Sequence, residues 1–166
     1  MQTPAADPTP RLIAEPLTVA AFAPFGTVAS TPLPAEGRLV GPSDNFRPEA
    51  RAELNWVIAV PQVLPFALAV MERHRYSSQS FLPCAPDARW LVVVAPHAAA
   101  GGPDMARAHA FVVGGDQAIT YSPDTWHHPL TALDRPAPMA LLTFRDGGAD
   151  DDEFFTLPAP VLIVPA

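Results

Sequence analysis

The sequence predicts an all-β fold, mainly antiparallel, on three observations. Twenty-two of its 166 residues are proline, and Gly-Gly pairs begin at 101, 114 and 147, which leaves no room for a long helix after residue 50. Short runs rich in β-branched and aromatic residues fill the gaps. Turn signals such as APDA, AGGPD, VGGDQ, SPDT and RDGGAD separate those runs at the spacing of a sandwich or barrel.

Residues 1–15 lack an apolar stretch and read as an N-terminal extension, not as a secretory signal. Thr18 then caps a short helix, VAAFAPF, which Gly26 ends in a left-handed turn, although Pro24 interrupts it. Residues 31–55 mix Pro, Gly and charges with little periodicity and read as a variable loop region. WVIAV, FALAVMERHRY, RWLVVVA, HAFVV, AITY, MALLTF and VLIV follow as strands. One domain, 1–166, with one or two short helices, accounts for the length.

Composition narrows the function classes. Half the residues are apolar (49%) and only 16% charged, the balance of a globular chain. Every basic residue is an arginine, so Schiff-base chemistry and a P-loop lysine are excluded. A net charge of −7 without a basic cluster argues against nucleic acid, and the run Asp150 to Glu153 reads as a solvated loop. Cys84, the only cysteine, reads as a small packed hydrophobe and cannot form an internal disulfide. A cytoplasmic setting follows from these features. PAPVLIVPA is too short to span a bilayer, so no membrane partner is expected.

The chemistry concentrates in SPDTWHHPL, where His127 and His128 stand side by side. Neutral imidazole is a general base and the commonest metal ligand, but neighbours on a strand face opposite ways, so one cavity receives only one of them. In FALAVMERHRYSSQSF, alternation places Phe66, Leu68, Val70, Glu72 and His74 on one face, with Met71, Arg73 and Arg75 on the other. Glu72 and His74 then emerge together at a barrel mouth, with Gln79 a few residues on. The bland reading is an edge strand with solvated charges. His97 and His109 read as structural or exposed.

Glu72-x-His74-x4-Gln79 resembles the first metal-binding motif of the cupin superfamily, and Asp124-Thr-Trp-His127 resembles the second, with Asp124 at the turn where a glycine usually stands. This register selects His127 as the inward histidine. PLTVAAFAPFGTV, ERHRYSSQSFLP, WLVVVA, TYSPDTWHHPL and LLTFRDGG, in that order, are similar to the ureidoglycolate lyase family over most of the chain outside residues 30 to 55. The resemblance implies a cupin-like β-barrel or jelly roll, a homodimer, and a lyase that splits ureidoglycolate into glyoxylate and urea in purine (allantoin) catabolism. It leaves a divalent metal, Ni, Mn or Zn, as an open option.

On this reading His74, His127 and Glu72 are catalytic, and Gln79, Tyr121, Trp126 and Arg145 contact substrate. A metal, if bound, takes His74, Gln79 and His127, with Glu72 beside them. Two departures from the family bear on substrate. The stretch EGRLVGPSDNFRPEARAEL replaces an Ile-Asn-x-Gly-type segment, and Arg145-Asp146 inverts an Asp-Arg pair. Asn45, Arg47 or Arg51 turned inward would favour a small carboxylate substrate. The rivals are a cupin enzyme acting on another small hydroxy or keto acid, and a ligand-binding cupin without chemistry.

Overall fold

The computed structural model describes residues 9–31 and 42–166. In chain order its strands are Arg11–Pro16 (β1), Gly26–Ser30 (β2), Arg51–Ala59 (β3), Pro61–Gln62 (β4), Phe66–His74 (β5), Gln79–Pro83 (β6), Arg89–Ala95 (β7), His109–Gly114 (β8), Gln117–Tyr121 (β9), Trp126–His127 (β10), Thr131–Leu133 (β11), Ala137–Arg145 (β12) and Asp152–Pro165 (β13). A helix at Val19–Phe22 (α1) and a 3₁₀ turn at Met105–Arg107 complete the regular structure of the described residues.

Hydrogen bonds run β10-β5-β13-β1-β8-β7 and return from β7 to β10, closing a six-stranded barrel that β11 and β4 extend. A five-stranded antiparallel sheet, β2-β9-β6-β12-β3, packs beside it. The result is the mainly antiparallel, cupin-like barrel that the sequence predicts. Its parallel pairs are β1 with β13 and β8, and β11 with β4.

Two apolar cores follow from this layering. Leu68, Met71, Val93, Ala110, Trp126 and Ile163, drawn from strands all round the barrel, fill its interior. Phe22, Phe81, Trp90, Val92, Phe111 and Tyr121 lie between barrel and sheet. β7 serves both, which is why its VVV run is buried throughout.

Strict alternation fails on β5. Leu68 and Met71, three residues apart, both enter the barrel interior. At this point β13 pairs Thr156 with Val70 but Val161 with Leu68, so the ladder shifts register. Such an irregularity re-aims the side chains beyond it. Glu72 and His74 therefore share a face with each other but not with Phe66 and Leu68, and that face looks into the layer between barrel and sheet.

Other expectations need correction. The N-terminal extension contains most of β1, a central barrel strand whose Ala14 is buried; the Arg and Pro at its ends hid it. The loop region 31–55 ends earlier, because β3 starts at Arg51 and pairs along its full length with β12. Residues 32–41 of that region lie outside the described residues. The helix stops at Phe22, since Pro24 has no N–H to continue it, and Thr18 caps it by accepting from the Ala21 amide at 3.2 Å. Gly26 opens β2 instead of ending the helix. A Cβ there would lie 1.9 Å from the Thr120 carbonyl oxygen. Cys84 is exposed, just past the end of β6.

Candidate active site

β10 is only two residues long, yet it joins both ends of the barrel sheet and decides where each of its side chains points. Trp126 enters the barrel interior, and His127 takes the opposite face, in register with Glu72 of β5. His127 Nε2 lies 3.3 Å from Glu72 Oε1, close enough to interact electrostatically but outside good hydrogen-bond geometry. The His74 ring centroid is 5.5 Å from that of His127, and Tyr121 of β9 stacks on the other side of His127 at 4.1 Å. Glu72, His74 and His127 each offer a ligand atom, and these three atoms lie within 4.8 Å of one another.

Both imidazoles are anchored at Nδ1. His74 Nδ1 donates to Asp152 Oδ1 at 2.8 Å, and His127 Nδ1 donates to the Thr125 carbonyl at 2.8 Å. Those partners accept only, so each ring carries a proton on Nδ1. Neither Nε2 has a hydrogen-bond partner, although both are buried. Gln79 Oε1, on β6 next to Tyr121, is buried and unpartnered as well. Buried polar atoms are normally satisfied, so three polar atoms left open in one layer form a site built to receive something. Two imidazole nitrogens and a carboxylate, with the outer nitrogens fixed by a carboxylate and a carbonyl, suit a divalent cation.

Electrostatics support the same assignment. Burial pushes the Glu72 carboxyl up, but its contact with His127 and its electrostatic interactions with His127, His74 and His128 outweigh burial and hold it below its ordinary value. Burial, joined by His127, lowers His74 and keeps it neutral despite Glu72 and Asp152. Burial, then Glu72, raises Tyr121 well above the usual phenol, so it stays protonated. Asp152 is raised by burial but lowered further by Arg145 and His74, and remains a carboxylate.

Asp152 is the residue that sequence reasoning missed. The acidic run read as a solvated loop is largely built in. Asp151 is 2% exposed and accepts from the Tyr76 amide, Ser77 and Arg47, while Glu153 pairs with Arg73. Asp152 links Arg145 Nη1, at 2.6 Å, to His74. The available signal was the pairing of β13 with β5, which sets Asp152 opposite His74.

The structure brings Glu72, His74, His127, Gln79 and Tyr121 into one layer. It does not bring Trp126 there. The indole is fully buried in the barrel interior under Arg73, because adjacent strand residues face opposite ways, and its assignment as a substrate contact is withdrawn. His74 and His127 sit on neighbouring strands of one face, not across a barrel. His128 turns the other way and spends both ring nitrogens, on the Val70 carbonyl at 3.2 Å and on Thr131 Oγ1 at 3.1 Å. Arg73 is held by Asp124 and Glu153, and Asp124 adopts the left-handed turn (φ 66°). Arg47 is spent on Asp146, Asp151 and the Phe144 carbonyl, and Arg51 is exposed on β3, so neither enters the cluster. Three well-formed surface cavities among the described residues are lined without Glu72, His74 or His127. Glu72 and Asp152, 13% and 23% exposed, are the members that meet solvent. Among the described residues, no helix is long and apolar enough to cross a membrane.

Comparison with known proteins bears on this arrangement. A family model described as ureidoglycolate lyase matches residues 9–163. A ureidoglycolate lyase of Rhizobium etli (strain CIAT 652) is 36% identical over 159 residues, covering 89% of this chain and 92% of that protein. One from Burkholderia mallei (strain NCTC 10229) is 39% identical over 129 residues, covering 72% and 74%. A third, from Schizosaccharomyces pombe, is 30% identical over 169 residues, covering 86% and 88%.

Proposed function

The chain belongs to the ureidoglycolate lyase family, and from that premise we propose that it cleaves ureidoglycolate to glyoxylate and urea in purine (allantoin) catabolism. The observation that carries this reading is the pair of buried and unpartnered Nε2 atoms of His74 and His127 beside the Glu72 carboxylate.

Ureidoglycolate bears a carboxylate, a hydroxyl and a ureido nitrogen on one carbon. Its cleavage removes the hydroxyl proton, forms the aldehyde C=O, breaks the C–N bond and returns a proton to the departing nitrogen. His127 Nε2 takes the hydroxyl proton, and Glu72 Oε1 beside it stabilises the imidazolium. The same nitrogen then gives the proton to the ureido nitrogen, so proton and electron pair balance within the site. Asp152 holds His74 in its tautomer, as Arg145 holds Asp152. Arg145, joined to the cluster through Asp152, is the guanidinium we assign to the substrate carboxylate. Gln79 offers its amide oxygen to a substrate N–H, and Tyr121 keeps the His127 ring in plane. Substrate approaches from the side of Glu72 and Asp152, the exposed members.

Glu72, His74 and His127, with Gln79 as a neutral fourth donor, would hold a divalent ion, for which this mixed N/O set suits Ni, Mn or Zn. Such an ion supplies Lewis-acid polarisation of the substrate oxygens. His127 Nε2 cannot be both ligand and base, and one experiment separates the roles. We also assign the chain a cytoplasmic setting and a homodimeric state.

The test is release of urea and glyoxylate from ureidoglycolate by the purified protein, with a chelator in one arm and added Ni, Mn or Zn in another. Turnover above the spontaneous rate is expected. Its persistence under chelation assigns His127 as base, and its loss and rescue by metal assign it as ligand. No turnover in any arm would overturn the lyase reading.

A further inference from the structure

Arg73 stands between Glu72 and His74 on β5, and its side chain takes the face opposite to theirs. Its guanidinium lies 4.6 Å over the Trp126 ring and is engaged on two sides. Nε and Nη2 donate to Glu153 Oε2 at 3.1 and 2.7 Å, and Nη1 donates to Asp124 Oδ1 at 2.8 Å. With 16% of its side chain exposed, Arg73 is not part of a freely solvated ion pair of the kind that contributes little.

The two carboxylates matter for what stands next to each of them in the chain. Glu153 follows Asp152, which accepts from His74 Nδ1; Asp124 precedes Thr125, whose carbonyl accepts from His127 Nδ1. The first link is a matter of register. β13 sets Glu153 opposite Arg73 and Asp152 opposite His74, and a slip of one residue would turn Asp152 to the other face. Beyond Thr156 the ladder resumes in a shifted register, so the pairing there does not enforce this one.

The second link runs through a turn. Asp124 holds a left-handed backbone, φ 66°, which a residue with a Cβ keeps only where its surroundings impose it. Its amide donates to the His74 carbonyl at 2.6 Å, its carbonyl accepts from His97 Nε2 at 2.9 Å, and Arg73 holds its side chain. That turn aims the Thr125 carbonyl at His127.

We propose that Arg73 is a positioning residue of the lyase site: one guanidinium, behind the strand that carries Glu72 and His74, fixes the segments that orient both imidazoles. The proposal rests on the lyase reading above and adds a residue that acts on both histidines without touching substrate. A planar guanidinium presents donors in two directions at once, whereas a lysine ammonium is a point charge on a flexible stem. Misplacing a reacting group by about 1 Å costs on the order of 100-fold in rate, which is the scale on which such a clamp acts.

Four variants of the full chain test it: R73Q, R73K, E153A and D124G, the last of which keeps the left-handed turn accessible. R89Q, which breaks the exposed Arg89–Asp134 pair, is the control. Circular dichroism checks folding, steady-state kinetics on ureidoglycolate gives kcat and KM, and nitrogen NMR reads the rings of His74 and His127. R73Q is expected to lower kcat about 10- to 100-fold with KM nearly unchanged, and to move the nitrogen signals of both rings. R73K should do the same, and carries the test if R73Q does not fold. E153A should move His74 alone and D124G His127 alone, each with a smaller loss of kcat, while R89Q matches wild type. Folded R73Q and R73K with wild-type kcat and unmoved rings would overturn the proposal, and a lowered melting temperature with kcat intact would do so too. A wild type that leaves ureidoglycolate uncleaved would sink the lyase reading, and the rings would then decide alone: both moved in R73Q supports the clamp, neither moved ends it.

Discussion

His127 and His128 are neighbours, of one residue type, and both are buried, yet their nitrogens are used differently. His128 uses both ring nitrogens, Nδ1 donating to the Val70 carbonyl and Nε2 bonded to Thr131 Oγ1, and packs 5.3 Å from Phe66. His127 is bonded at Nδ1 alone. Asp151 and Asp152 repeat the contrast a strand away. Asp151 is consumed by Tyr76, Ser77 and Arg47, whereas Asp152 passes the hold of Arg145 to His74. Buried polarity alone therefore does not mark a site. What distinguishes the reactive member of each pair is hydrogen-bonding capacity that the fold leaves open or hands on.

The sharpest way to break this comparison is to remove each histidine in turn. His127→Asn is expected to lower kcat by about 10²- to 10⁴-fold, the range of a lost acid-base group. His128→Asn should leave kcat within roughly tenfold and instead cost about 1–3 kcal/mol of stability, because buried partners lose their hydrogen bonds. Steady-state kinetics with urea denaturation of both variants checks this, and equal losses of kcat would end the distinction.

A smaller effect is expected at Asp152. In Asp152→Asn the amide can donate to His74 Nδ1, which moves the ring proton to Nε2 and closes the lone pair that faces the site. Affinity for Mn, Ni or Zn should fall about 10- to 100-fold, as for other outer partners of metal-binding histidines. Titration calorimetry reads the affinity, and nitrogen NMR of His74 reads the tautomer. An unchanged tautomer would leave Asp152 as a packing residue.

The smallest effect is in the pH dependence of stability. Burial is the main cause that lowers the folded-state pKa of His74 and of His128 below the ordinary 6.5. The unfolded chain then binds more protons as pH falls through about 6.5, so stability is full above that value and declines below it. Glu72 and Asp152, lowered on balance, add their own losses only in the more acid carboxylate range. His128→Gln should flatten the slope between pH 7 and pH 5.5 in denaturant midpoints. An unchanged slope would place the titration elsewhere.

Much of this architecture was legible from local chemistry. Proline spacing and β-branched runs predict the strands β5, β7, β8, β9 and β12, because those preferences act over a few residues. Thr18 marks the start of α1 for the same reason, and Asp124 fits its left-handed turn. The order of the Glu72, His74, Gln79 and Trp126-His127 motifs pointed to the family.

Tertiary structure alone decided the rest. The register shift on β5 separates Glu72 and His74 from Leu68, and no alternation rule contains it, since it depends on the excursion of β13 between Thr156 and Val161. β10 is too short to announce itself and β1 is bounded by Arg11 and Pro16, yet one closes the barrel while sending Trp126 inward and His127 outward and the other completes its wall. Asp152 looked like one of a row of solvated acids until the pairing of β13 set it opposite His74. Sequence determines what each segment can form, but long-range pairing determines which side chains meet, and a site made of atoms from five strands exists only after that pairing is complete.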